Sequence, residues 1–452
     1  MTLPASLIHD METQSLSLDY LAECACQQAK LLENKGAYDE ARQALSAYWP
    51  CFGERPQLTR LAPSAEAEVL LRAGVITSAI GGKNQLPGTQ EAAKNLISEG
   101  ISIFQSLNCQ EKVEEAQVEL ALCYWRTGEL NEARDLLGET LARLKHDGEL
   151  KCRAVLRLAI VELDASRHHE SLSLLTTNSF RFDQIENDTL RGSYHVTLGI
   201  VLECLWDQEQ RSDYLDRALI EYAAASYHFE QVDHRSYLGN VQNNLGFLYF
   251  KINRCEEALD HLDYARRVFA GLEDTTAIAQ VDDTRAGVYL KQGLPDEAEE
   301  AARSSVDTLE KTDRHALLAE SLITYGRVLA RLGDYTDSFA AFQRAINLSE
   351  LNGSNNKAAE AALAAFREIG EYLTVSETEK VASGRTLSDE VNSYEHELVK
   401  RALENAQGSV THAARSLGIS YQALGYMLET RHKSLLKDRT PPRRRMRRIL
   451  TK

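Results

Sequence analysis

Leu245 to Ala265 reads LGFLYFKINRCEEALDHLDYA. Gly246, Tyr249, Ala258, Leu262 and Ala265 stand at offsets 0, 3, 12, 16 and 19. Offsets of three and four put residues on one face of a helix. The polar pair Asn253-Arg254 breaks the run in the middle. The stretch therefore predicts two helices joined by a tight turn. A small residue on the first helix admits its partner, and an aromatic or Leu three residues on fills the next gap. A second small residue receives the first helix on the return.

The pattern recurs along the chain. Ala286, Tyr289, Ala298, Ala302 and Ser305 repeat it, as do Gly326, Leu329, Ser338, Phe342 and Ala345. Earlier copies begin at Ala29 (with Leu32, Ala41, Leu45), Ala121 (Tyr124, Ala133, Leu137) and Ala159 (Ser171, Leu175). Two more begin at Gly74 and Gly199, each with several extra residues before its second helix. Eight candidate units result, spaced roughly 38 to 47 residues apart. Polar turns fall where the pattern needs them, at Thr127-Gly128-Glu129, Gln292-Gly293 and Leu332-Gly333-Asp334. One helical hairpin cannot bury its apolar face alone, so the units are expected to stack into a solenoid.

These offsets resemble the tetratricopeptide repeat (TPR) over most of residues 20 to 350. The usual Trp and closing Pro are missing, and the period exceeds the family's 34 residues. Irregular repeats of this kind are similar to those of bacterial regulators that join a TPR array to a DNA-binding domain. The resemblance implies a groove for a protein or peptide, lined by first helices. It places Asn240, Asn243, Phe247 and Phe250 toward that groove. Asn side chains could clamp an extended backbone and the phenylalanines could form pockets. Plain surface polarity accounts for the asparagines equally well.

A different pattern follows. Gly408 to His432 reads GSVTHAARSLGISYQALGYMLETRH. Ser409 and Ser420 suit the N-caps of two short helices. Ala413 and Ala414 are small where the helices must cross, Gly418 and Ile419 make the corner, and Leu424 and Leu428 share a face. These residues resemble the Fis-type helix-turn-helix (factor for inversion stimulation), and Tyr394 to Ala406 takes the place of the family's preceding helix. The resemblance covers roughly the last 65 residues. It implies double-stranded DNA as a partner, with the second helix in the major groove and Tyr421, Gln422, Gly425 and Tyr426 at base edges. It also implies a homodimer on a two-fold site. The family usually carries Arg or Lys in that second helix; this chain has Tyr421, Gln422, Gly425, Tyr426 and Met427. Thr411, Arg431, Lys433 and the tail arginines Arg443, Arg444 and Arg445 are expected on phosphates, and Ser420 is also expected at the DNA.

Charge supports the division. Ten basic and two acidic residues lie between Glu429 and Lys452, in a chain of formal charge −16. The 14 basic and 7 acidic residues of 385–452 leave −23 on residues 1–384. An array that acidic is not expected to hold nucleic acid itself. Cations beside a helix-turn-helix read as phosphate grips, which add affinity without sequence information. Pro441-Pro442 would keep the arginines on an extended arm.

The expected fold is therefore all-α: a solenoid over 1–373 ending in a capping helix (Asn356–Tyr372), a linker over 374–387, the helix-turn-helix over 388–436 and a basic tail over 437–452. No 18-residue apolar run predicts a membrane span. The first twenty residues carry Asp10 and Glu12 and lack a basic start followed by an apolar run. That excludes a signal peptide and predicts a cytoplasmic protein; the resemblance implies a bacterial one, associated with the nucleoid when DNA-bound. Eight scattered cysteines without a C-x-x-C pair read as buried small hydrophobes. Catalysis finds little support. Gly82-Lys83 fails as a phosphate loop, with Thr77 in place of the first Gly and Asn84 in place of Ser or Thr. His168-His169 read as a water-facing pair in a polar turn. No catalytic residue, metal site or cofactor is expected. The reading from another class is a non-enzymatic scaffold or adaptor whose basic tail docks acidic partners or RNA.

Overall fold

The computed structural model describes residues 18–351, 387–417 and 419–438. Helix follows helix: α1 (Leu18–Glu33), α2 (Tyr38–Ala44), α3 (Pro63–Asn84), α4 (Thr89–Ser106), α5 (Gln110–Arg126), α6 (Leu130–Arg143), α7 (Glu149–Asp164) and α8 (His168–Asp183). There follow α9 (Asp188–Glu209), α10 (Ser212–Gln231), α11 (Arg235–Lys251), α12 (Cys255–Gly271), α13 (Thr275–Gln292), α14 (Pro295–Leu309), α15 (His315–Leu332) and α16 (Tyr335–Leu351). These form eight hairpins, each odd-numbered helix pairing with the next. The chain divides into two compact units, one ending at Thr324 and the other beginning at Tyr325. No strand occurs among the described residues. The expected capping helix, and the linker up to residue 386, lie outside them.

The small residues do what the offsets require. A Cβ on Gly246 would stand 2.5 Å from Leu262 Cγ, and one on Gly326 would stand 2.7 Å from the Phe342 ring. The first helix therefore presses directly on the side chain sixteen positions later. Ala121, Ala133 and Leu137 are all essentially buried, as are Ala286, Ala298 and Ala302. Ser171, Ser305 and Ser338 take the small-residue positions of second helices. Each buried hydroxyl donates to a backbone carbonyl, of Ala159, Ala279 and Gly326 respectively, so none is left unsatisfied. The turns are left-handed where expected: φ is +80° at Gly128, +76° at Gly293 and +90° at Gly333.

The two long copies have a simple geometry. Gly74 meets Ile97 and Gly199 meets the ring of Tyr222, each pair 23 positions apart instead of 16. Seven extra residues are about two helical turns, shared between the helices on either side of the connection. The insertion therefore lengthens both helices and leaves the crossing face in register. α3 and α9 accordingly run to 22 residues, against 17 for α11.

Two expectations are corrected. His168 and His169 open α8 rather than sitting in a turn, and His169 Nε2 lies 2.7 Å from Glu209. Cys26, Cys123 and Cys152 are buried, but Cys24, Cys51 and Cys109 are exposed. They occupy the outward face of α1, the segment after α2 and the start of α5, where no small-residue crossing claims them.

In the C-terminal unit, α17 (Leu387–Asn405), α18 (Val410–Ser416) and α19 (Tyr421–Thr430) are followed by a 3-10 turn at Lys433–Asp438. The first of these begins seven residues before Tyr394, where the expected helix started. Val399, Leu403, Ala413, Ala414, Leu424, Leu428 and Leu435 close a core of their own, with Leu417 and Ile419 packed on its edge. Within the same unit, the ring of Phe339 on α16 meets Tyr394 on α17 edge-to-face at 4.9 Å.

Candidate nucleic-acid interface

α17 ends in a tight reversal. Gln407 and Gly408 adopt φ of +50° and +78°, and Gly408 N–H donates to Leu403 C=O at 2.7 Å. That satisfies a carbonyl the helix end would leave open. Ser409 Oγ then accepts from His412 N–H at 3.4 Å and Ser420 Oγ from Ala423 N–H at 3.0 Å, so both expected caps are made. The corner is drawn shut by Ile419 N–H donating to Ala414 C=O at 3.0 Å. Gly418 lies outside the described residues.

Burying Leu424 and Leu428 turns the other side of α19 to solvent. Tyr421 is 59% exposed and Tyr426 66% exposed, with Gln422 exposed beside them and Gly425 half-buried between. A Cβ on Gly425 would meet no atom within 4 Å. Here the backbone itself forms part of the surface, flanked by two phenols and an amide. These groups donate and accept hydrogen bonds and present flat apolar area, which suits base edges. Thr411 and Lys433 are exposed at the margins, and so are Arg415 and Lys437, two cations that motif reading passed over. Arg431 is exposed but pairs with Glu395 at 3.1 Å, so a phosphate would have to draw it from that carboxylate. Arg443, Arg444 and Arg445 lie outside the described residues.

One residue of this unit gave no signal in the sequence. His432 is 2% exposed. Its Nε2 stands 3.6 Å from Glu395 and its ring 5.4 Å from that of His396. Burial lowers its pKa, against the opposing pull of Glu395. It ties the end of α19 to α17, a core role that a histidine at a helix end does not announce.

The residues expected to line a groove of the repeat array are on α11. Asn240 is exposed, Asn243 is half-buried, and the Asn243 Oδ1 atom is buried without a hydrogen-bond partner. Phe247 and Phe250 have ring centroids 6.3 Å apart. The Lys251 ammonium sits 4.8 Å from the Phe247 ring and that of Lys291 5.0 Å from the Phe250 ring. The sequence did not show those lysines as partners, because the second comes from α13. No cluster of three or more metal-ligating side chains occurs among the described residues, and no helix there is long and apolar enough to cross a membrane.

Fold and site together define a stacked-hairpin array followed by a small helix-turn-helix unit. Residues 275–350 match the tetratricopeptide repeat family, and residues 391–429 match the family described as bacterial regulatory protein, Fis family. The chain thus carries TPR repeats and a C-terminal Fis-type helix-turn-helix. No curated protein matches it. Among solved structures it is similar to a Rap protein complexed with Competence and Sporulation Factor, at 16% identity and a TM-score of 0.53, over 79% of this chain and 92% of that one. It is also similar to the apo form of the quorum sensor NprR from B. thuringiensis, at 11% identity and a TM-score of 0.55, over 76% of this chain and 91% of that one. At these identities the likeness is one of fold.

Proposed function

We propose that the protein is a DNA-binding transcriptional regulator whose repeat array receives a protein or peptide. The observation that carries the reading is the outward face of α19. Tyr421, Gln422 and Tyr426 are presented to solvent, with half-buried Gly425 between them, by a helix whose opposite face is locked through Leu424 and Leu428. α19 enters the major groove with those four residues at base edges. Thr411, Arg431, Lys433 and the arginines at 443–445 contact phosphates, and Ser420 caps α19 beside the DNA. The match to the Fis family supports this assignment. For the array, Asn240 and Asn243 hold an extended backbone while Phe247 and Phe250 take its side chains. The Rap structure was solved with a factor bound, which fits a repeat array of this fold acting as a receiver. A homodimer on a two-fold operator is part of the proposal.

A gel shift with the full chain, on duplex DNA and on RNA of the same sequence, tests the reading. Duplex binding that weakens steeply as salt rises is expected. Retention of RNA or acidic protein with no duplex binding would favour the scaffold reading instead.

A further inference from the structure

The first four hairpins line a polar, partly open cavity of about 60 Å³. It lies far in sequence from the groove residues of α11. The array coils tightly enough that the turn after α1 reaches later hairpins. Arg153 on α7 donates to Asn34 at 3.2 Å, and a Cβ on Gly36 would lie 3.4 Å from His234 Nε2. Glu33, Tyr38, Ser78, Glu119 and three arginines, Arg126, Arg153 and Arg157, line the space.

Most of these charges are paired. Glu119 takes Arg157 at 2.7 Å and Arg153 at 3.4 Å. Glu33 takes Arg72 at 2.7 Å, which Glu115 also holds at 2.6 Å. Two groups are left over. Arg126 has the Ser78 hydroxyl, at 2.7 Å, as its hydrogen-bond partner, and no carboxylate pairs with it among the described residues. Burial lowers its pKa, which marks a cation short of compensation. The second is the Oε1 atom of Glu33. It is buried without a hydrogen-bond partner, on a side chain only 8% exposed. An unpaired guanidinium and an unfilled acceptor in one small space are costly unless something fills them.

From this pairing we infer that the cavity binds a carboxylate carrying an N–H on the adjacent carbon: the C-terminal residue of a peptide, or a free amino acid. The carboxylate takes the open donors of Arg126, and the N–H donates to Glu33 Oε1. A single unbalanced cation calls for a monoanion rather than a dianion such as phosphate. The volume admits a few heavy atoms, an end group rather than a folded partner. The inference rests on the array being the ligand-receiving part of the protein, but it is independent of DNA binding.

Thermal unfolding of the full chain tests it with four probes: a mixture of free-acid hexapeptides, the same mixture C-terminally amidated, the common amino acids, and inorganic phosphate. The free-acid peptides or the amino acids should raise Tm, and which of them does so identifies the source. Amidated peptides and phosphate should not. Arg126→Gln should weaken binding about tenfold or more without lowering the Tm of the unliganded chain, because the cation it removes is uncompensated. Ser78→Ala, which frees the Arg126 side chain, should weaken binding less. Equal shifts from free-acid and amidated mixtures, an unchanged response in Arg126→Gln, or no shift from any probe would overturn the proposal. In each of those cases an intact gel shift would leave the DNA-binding reading standing.

Discussion

Glu33 shows how a single residue can report on the array. Burial raises its carboxyl to about 7 from an ordinary 4.5, although Arg72 pulls the other way. Nearby Glu115 is also buried, yet Arg72, Lys112 and Lys30 hold it down at about 2. The contrast comes from the number of cations each acid meets. Between about 4.5 and about 7 the folded chain keeps a proton on Glu33 that the unfolded chain has released. Stability therefore falls as pH rises through that window and levels off above it. Glu33→Gln should flatten that part of the profile: Tm measured at about pH 5 and about pH 8 should differ less than in the parent chain. An identical difference in both proteins would contradict the assignment. None of this was legible in the sequence. Glu33, Arg72 and Glu115 are ordinary helix residues until three hairpins coil around one another.

Elements were easier to read. The small-residue offsets located all eight hairpins, because a close helix crossing leaves its mark at a fixed spacing. Even the irregular copies at Gly74 and Gly199 were visible as insertions. That the inserted length is about two turns, split between paired helices, needed the structure. Gly199→Ala puts a methyl 2.7 Å from the Tyr222 ring, which is fully buried and cannot easily give way. It should cost about 1–3 kcal/mol in urea unfolding; a neutral result would mean the crossing is looser than drawn. Gly425→Ala should behave oppositely. Its Cβ meets nothing, so α19 gains about 1 kcal/mol of helix stability. If Gly425 lies against DNA, affinity should fall even as the unit becomes more stable. Affinity that rises with stability would remove Gly425 from the interface. Leu424→Ala, at the opposite face, should cost about 3 kcal/mol and abolish duplex binding through loss of the fold. The helix-turn-helix was legible because its caps, corner and paired leucines are local. The core role of His432 was not, because its partner Glu395 lies 37 positions earlier on another helix.

For the whole molecule, charge divides the labour. Residues 1–384 carry a formal −23, whereas the last 68 are net basic. Under the proposed function, an array that acidic would repel nucleic acid and leave contact with it to the helix-turn-helix. Compensated clusters such as Arg72 among its glutamates let the array bury charge and still fold. On the proposed function, ligand binding by the array and duplex binding by α19 are separable, and substitutions in one should leave the other's binding intact. The central claim is that the outward face of α19 reads duplex sequence. Selection of duplexes from a random pool by the full chain, followed by affinity measurements from about 50 to about 200 mM salt, tests it most directly. The account predicts a shared motif among retained duplexes, and loss of preference for that motif by about tenfold or more when Tyr421, Gln422 and Tyr426 are all replaced by Ala, with weak salt-sensitive binding remaining. Retention without any shared motif, or a motif preference unchanged by the triple substitution, would contradict it.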